Sequence, residues 1–146
     1  MGELLFFIVA AIAGSTMAIQ GSLNTVLAKT IGQLEATFVV HLLAIIVLVL
    51  LLLVLNLGQG SLKLINKAPW YSYLGGLLSI VIVYAVMVSI KTLGVANATT
   101  MIIASQIITA TVVDHFGLWG LEQTSFQFVR LIGIVFLIIG VKLLII

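Results

Sequence analysis

From Ala44 to Leu55 the chain reads AIIVLVLLLLVL, with no polar side chain to face water. A helix that is apolar on every side is either buried in a large protein core or set in a membrane. With its flanking residues this run extends over Leu34 to Leu55, which matches the ~20 apolar residues a helix needs to cross a bilayer. Runs of similar kind cover Glu3 to Leu27, Trp70 to Lys91, Val95 to Val113 and Phe126 to Ile146. Charged residues make up only 7% of the chain, where a soluble domain carries roughly a quarter. The expected fold is therefore an all-α integral membrane protein: five transmembrane helices with short connections, forming a single domain over residues 1–146. No length remains for a soluble catalytic module.

The same composition removes several function classes. The net charge of +2 comes from scattered lysines and arginines, so neither a nucleic-acid surface nor a polybasic lipid-binding segment is present. Cysteine is absent, which excludes disulfides and thiolate metal sites. Gly58 and Gly60 are too few for a phosphate loop, and His41 and His115 lack metal-ligand spacing. No enzyme, metal or cofactor is expected. The first run lacks a basic leader, carries Glu3 and continues past any small-residue cleavage site, so it reads as a retained first span.

The segment from Asn56 to Pro69 collects turn residues, Lys63, Lys67 and the only proline, and Trp70, Tyr71 and Tyr73 then suggest an interfacial aromatic belt. A tight break is expected over Lys91 to Gly94, and DHFGLWGLEQ reads as a loop. Five spans place the termini on opposite sides. Lys63, Lys67 and Arg130 then fall on the N-terminal side, and Lys29, Lys91 and Lys142 on the other. Because lysine and arginine bias sets orientation, this even division points to insertion in both directions. Two inverted copies then form an antiparallel, dual-topology homodimer with inverted two-fold symmetry and a shared midplane site. Orientation fixed by a partner or by the first helix is the alternative.

Polar residues inside the spans are the candidate site. In AGSTMAIQGSLNTVLAK, Thr16, Gln20 and Asn24 share one helical face, beside a small-residue face of Gly14, Ala18, Gly21 and Thr25. Such a face needs partners in protein or water. It lines a polar cavity, or it bonds neighbouring helices. In the fourth span Gln106, Ala110 and Asp114 share a face, with Thr99 on roughly the same side, and the mid-span amide of Gln106 suits a polar solute or an interhelical bond. Asp114, at the membrane exit beside His115, is a gate or proton site, or simply a solvated helix end. His41, two turns into the second span, is a coupling candidate because imidazole titrates near neutrality; the alternative is a neutral ring bonded to a neighbouring helix. Glu35, nearer the interface, is expected to end a loop. Tyr84 either walls a cavity or packs with one hydrogen bond. Gly133 and Gly140, one heptad apart, let another helix approach, in a dimer or within the protomer.

The segments AGSTMAIQGSLNTVLAK and GVANATTMIIASQIITATVVDHFGLWG, with the glycine-spaced last helix, resemble the YdcZ-like family of the drug/metabolite transporter superfamily. The resemblance spans nearly the whole chain, and AIQGSLN and SQIITATVVDHFG are its most specific parts. It implies an exporter-like protein of the bacterial inner membrane with five helices, in a family of dual-topology proteins, opposite-topology pairs and fused chains. The family's polar signature falls on Gln20, Gly21 and Asn24 in the first helix, and on Gln106, Asp114, His115 and Gly117 in the fourth. GIVFLIIGV is similar to the dimerising last helix of the small multidrug resistance transporters. Those relatives carry a glutamate inside the first helix that binds protons and cationic substrates; here that span has only Glu3, at its start. The resemblance does not extend to antiport by that residue.

The expected function is transport of a small polar or amphiphilic solute by alternating access. Gln20, Asn24, Tyr84 and Gln106 would contact solute, and Gly133 and Gly140 would form the dimer seam. The partners are then the solute, the lipid bilayer and a second copy of the chain. The competing reading is a non-transporting scaffold or accessory subunit in which these polar residues only hold helices together.

Overall fold

The computed structural model of the chain describes residues 2–125 and 127–145. These residues form an all-α, multi-pass membrane protein, in which 4 helical segments are long and apolar enough to cross a bilayer: Gly2–Ile31, Gln33–Val54, Trp70–Leu93 and Val95–Phe116. The chain divides into two compact units between Lys91 and Thr92.

The first unit contains α1 (Gly2–Ile31), α2 (Gln33–Val49) and, up to Lys91, α3 (Leu74–Leu93). A single residue separates α1 from α2. Gly32 takes φ +102°, a region that L side chains rarely adopt, and so stops α1. Its N–H still donates to the Ala28 carbonyl at 3.0 Å, and its own carbonyl accepts from the Ala36 N–H at 3.0 Å. The Glu35 carboxylate folds over this glycine, where a β-carbon would collide with it. Glu35 thus does not end a loop. It lies in the first turn of α2, where a negative charge complements the helix dipole. α1 thus continues past Leu27 to Ile31 and ends in the Lys29, Gly32 and Gln33 stretch expected to close the first span.

Beyond α2 a π-helical turn, Leu50–Val54, carries the aliphatic run to its end, with the Leu55 N–H donating to the Leu50 carbonyl at 2.9 Å. The connecting segment is partly ordered by short 3₁₀ turns at Leu62–Lys67 and Trp70–Tyr73. Tyr73 donates its hydroxyl to the Ile65 carbonyl, and Trp70 meets Tyr71 edge to face at 6.2 Å. Tyr73 thus ties the two 3₁₀ turns together.

Small residues let α3 close on the α1–α2 hairpin. Met87 is 0% exposed and packs with Ala28 and Ala36, flanked by Leu27 and Val83. Gly21 lets Val86 and Ile90 come within reach of the α1 backbone. Most other large apolar side chains, Phe6, Phe7 and Leu53 among them, are exposed, as expected for surfaces that meet hydrocarbon.

The second unit contains α4 (Val95–Phe116) and α5 (Phe128–Leu144). Gly94, at φ +81°, separates α4 from the preceding helix, as the expected break required. α4 runs one turn beyond Val113 and stops at Gly117, whose left-handed conformation aims its N–H at the Val113 carbonyl. The loop then folds back on this end: the Thr124 N–H donates to the Asp114 carbonyl at 2.8 Å, and Gln123 Nε2 to the His115 carbonyl at 2.9 Å. α5 has 17 residues and is roughly 26 Å long at ~1.5 Å per residue. Phe126 and Ile146, the ends of the expected last span, lie outside the described residues.

Candidate functional site

The face that α1 buries is Gly21, Asn24, Thr25 and Ala28. It takes Gly21 and Thr25 from the small-residue face and Asn24 from the polar one, and Asn24 is only 9% exposed while Gln20 and Thr16 are exposed. The cause is the close approach of α3 at Gly21, which selects the stripe three, four and seven residues further on.

Hydroxyls and amides behave differently in α1. Every serine and threonine of α1 donates to its own helix four residues back: Ser15 to Ala11 at 3.0 Å, Thr16 to Ile12 at 2.8 Å, Ser22 to Ala18 at 2.8 Å, Thr25 to Gly21 at 2.7 Å and Thr30 to Val26 at 3.4 Å. These groups need no other partner. The side chains of Gln20, Asn24, Tyr84 and Gln106, by contrast, make no hydrogen bond to another described residue. An amide carries two donors and an acceptor, and hydrocarbon supplies nothing for them. Gln106 is exposed on α4 and lies off the grooves that α4 shares with α5. Tyr84 is 40% exposed.

His41 is bonded on both sides. Its Nδ1 lies 2.7 Å from the Thr37 carbonyl, and its Nε2 lies 3.1 Å from Ser79 Oγ on α3. Ser79 in turn lies 2.7 Å from the Gly76 carbonyl. This contact crosses a groove of about 790 Å³ between α2 and α3, lined by Leu34, Phe38, His41 and Ile45 on one side and by Gly76, Ser79 and Ile80 on the other. Glu35 also lines it. Sequence reasoning placed Ser79 on α3 without a role. Its signal was a serine three residues after a glycine, in the aliphatic first half of α3.

Asp114 and Arg130 join the end of α4 to the start of α5, with Arg130 Nη1 3.4 Å from Asp114 Oδ2. The two side chains are 47% and 37% exposed, so the pair is worth only about 0–1 kcal/mol and serves mainly to register the two helix ends. Gly133 lines both grooves between α4 and α5, each of about 480 Å³, and Gly140 lines the one nearer the end of α5. A β-carbon added at either glycine would meet nothing within 4 Å. Among the described residues no group of three acidic, histidine or cysteine side chains is placed to hold a metal ion.

These features define a multi-pass helical membrane protein with unbonded amides inside its apolar helices. Residues 5–143 match the family described as "Putative inner membrane exporter, YdcZ", and the chain belongs to this YdcZ-like family of the drug/metabolite transporter superfamily. It is a transporter-like protein of the bacterial inner membrane rather than an enzyme. No curated protein and no solved structure matches the chain.

Proposed function

We propose that the protein moves a small polar or amphiphilic solute by alternating access as an antiparallel homodimer. Each copy contributes one five-helix transmembrane domain, with α5 as the fifth span, and the two copies are related by inverted two-fold symmetry. Gln20, Asn24, Tyr84 and Gln106 contact the solute. Asp114, paired with Arg130 at a helix end, acts as a gate, His41 serves coupling, and the α5 face bearing Gly133 and Gly140 forms the seam.

The observation that carries this reading is the unbonded state of the amides. Every hydroxyl of α1 is engaged by its own helix, whereas Gln20 and Asn24 on α1 and Gln106 on α4 have no partner among the described residues. The even division of lysine and arginine supports dual insertion, and the open space at both α5 glycines leaves room for a second helix.

The test is a screen for solute uptake and efflux in proteoliposomes under imposed proton and sodium gradients. A solute whose movement depends on the protein and is lost on replacing the amides supports transport. Protein-dependent movement of no solute, in vesicles shown to hold folded dimer, favours a scaffold.

A further inference from the structure

The hydrogen bonds around His41 fix where its protons lie. A carbonyl oxygen only accepts, so the contact between Nδ1 and the Thr37 carbonyl, at 2.7 Å, requires a hydrogen on Nδ1. Ser79 has one hydrogen and stands within bonding distance of both the Gly76 carbonyl, at 2.7 Å, and His41 Nε2, at 3.1 Å. If that hydrogen goes to Gly76, Ser79 Oγ can only accept from the ring, and Nε2 must carry a hydrogen too. If it goes to Nε2, the Gly76 contact is left without one. The doubly protonated ring therefore completes all three bonds and the neutral ring completes two.

We propose that His41 is a proton-binding site within the membrane, with the Thr37 carbonyl and the Ser79 hydroxyl as the acceptors of its two ring hydrogens. The lone pair of Nε2 takes up a proton from water in the groove, while the Ser79 hydroxyl turns its hydrogen from Nε2 to the Gly76 carbonyl. Loss of the proton reverses both movements. The link between α2 and α3 persists in either state with its direction of donation inverted, so charge enters and leaves without parting the helices.

The charged surroundings are sparse. Glu35 on α2 lines the same groove, with its carboxylate against Gly32, while α3 presents Gly76, Ser79 and Ile80 there, none of them titratable. Farther along α3 stand Tyr84 and Lys91, and α1, which packs on α2, carries Glu3 in its first turn and Lys29 in its last. The assignment deepens the transport reading by making the proton its coupling ion. The hydrogen bonds of the ring that carry it do not depend on transport.

The experiment uses the full-length protein in lipid nanodiscs with ¹⁵N-labelled histidine, and a His115→Asn variant to isolate the His41 signals. As the pH is lowered the ring should pass from one to two protonated nitrogens, with Nδ1 protonated throughout. Ser79→Ala should shift the pH at which the second proton binds and remove the hydrogen-bond signature at Nε2, and Ser79→Thr should restore both. A ring that stays neutral as the pH is lowered overturns the proposal. So does one whose titration is the same in folded Ser79→Ala and wild-type protein. Because the nitrogens report on the proton alone, failure here leaves the transport reading standing, and a transport screen without a solute leaves the proton site standing.

Discussion

Gly21 on α1 lies so close to Ile90 on α3 that a β-carbon at position 21 would stand 2.8 Å from Ile90 Cδ1. Val86 Cγ1 would be 2.9 Å away, so no side chain fits without displacing both. Gly21→Val should destabilise the protein by about 1–3 kcal/mol, the usual cost of overfilling a packed site. Gly14→Val, at a position with nothing within 4 Å, is the control and should change little. Unfolding in detergent micelles measures both; equal stabilities would mean that α3 does not pack there.

Dual insertion is checked by chemistry the chain makes simple, since it has no cysteine of its own. Ser61→Cys places a thiol in the exposed segment between α2 and α3. A membrane-impermeant reagent should label it from both sides of the membrane in one preparation. Labelling from a single side would end the dual-topology reading.

The outline of the spans was legible because it rests on local chemistry. Aliphatic runs gave the helices, and Gly94 gave its break from composition alone. The first span was expected to close near Lys29, Gly32 and Gln33, and the helix stops at Gly32 because there the backbone leaves the helical region. Which face of α1 turns inward was not legible, for a different reason. Residues four apart share a face on any helix, but which face turns inward depends on where Val86 and Ile90 arrive, some sixty-five or more residues later. The contact of His41 with Ser79 joins residues 38 apart, and no periodicity within α2 announces it.

The α5 glycines make a separate prediction. Gly133→Leu and Gly140→Leu fill a face that is open in the protomer, so each chain should stay folded while the dimer weakens. Mass measured in detergent by light scattering gives the result. Dimers of unchanged strength in both variants would place the seam elsewhere.

Replacement of the amides separates solute contact from helix packing. Interhelical hydrogen bonds in membranes average about 0.6 kcal/mol, so Gln20→Leu, Asn24→Leu and Gln106→Leu should leave the dimer folded. If these residues touch solute, transport per folded dimer should fall sharply in each. Normal rates in all three would remove them from the site.

The inward-turned hydroxyls of α1 have a mechanical consequence. A helix whose serines and threonines are all engaged with its own backbone presents neighbours with polar atoms but no ties. Where α1 meets α3, only side-chain shape resists sliding or rotation, and small residues offer little of it. Between α2 and α3, by contrast, the His41 bond to Ser79 is a tether that must be released before the helices can slip. The first unit thus combines a low-friction bearing with a clasp, and any rocking of its helices should turn on the first and be held by the second.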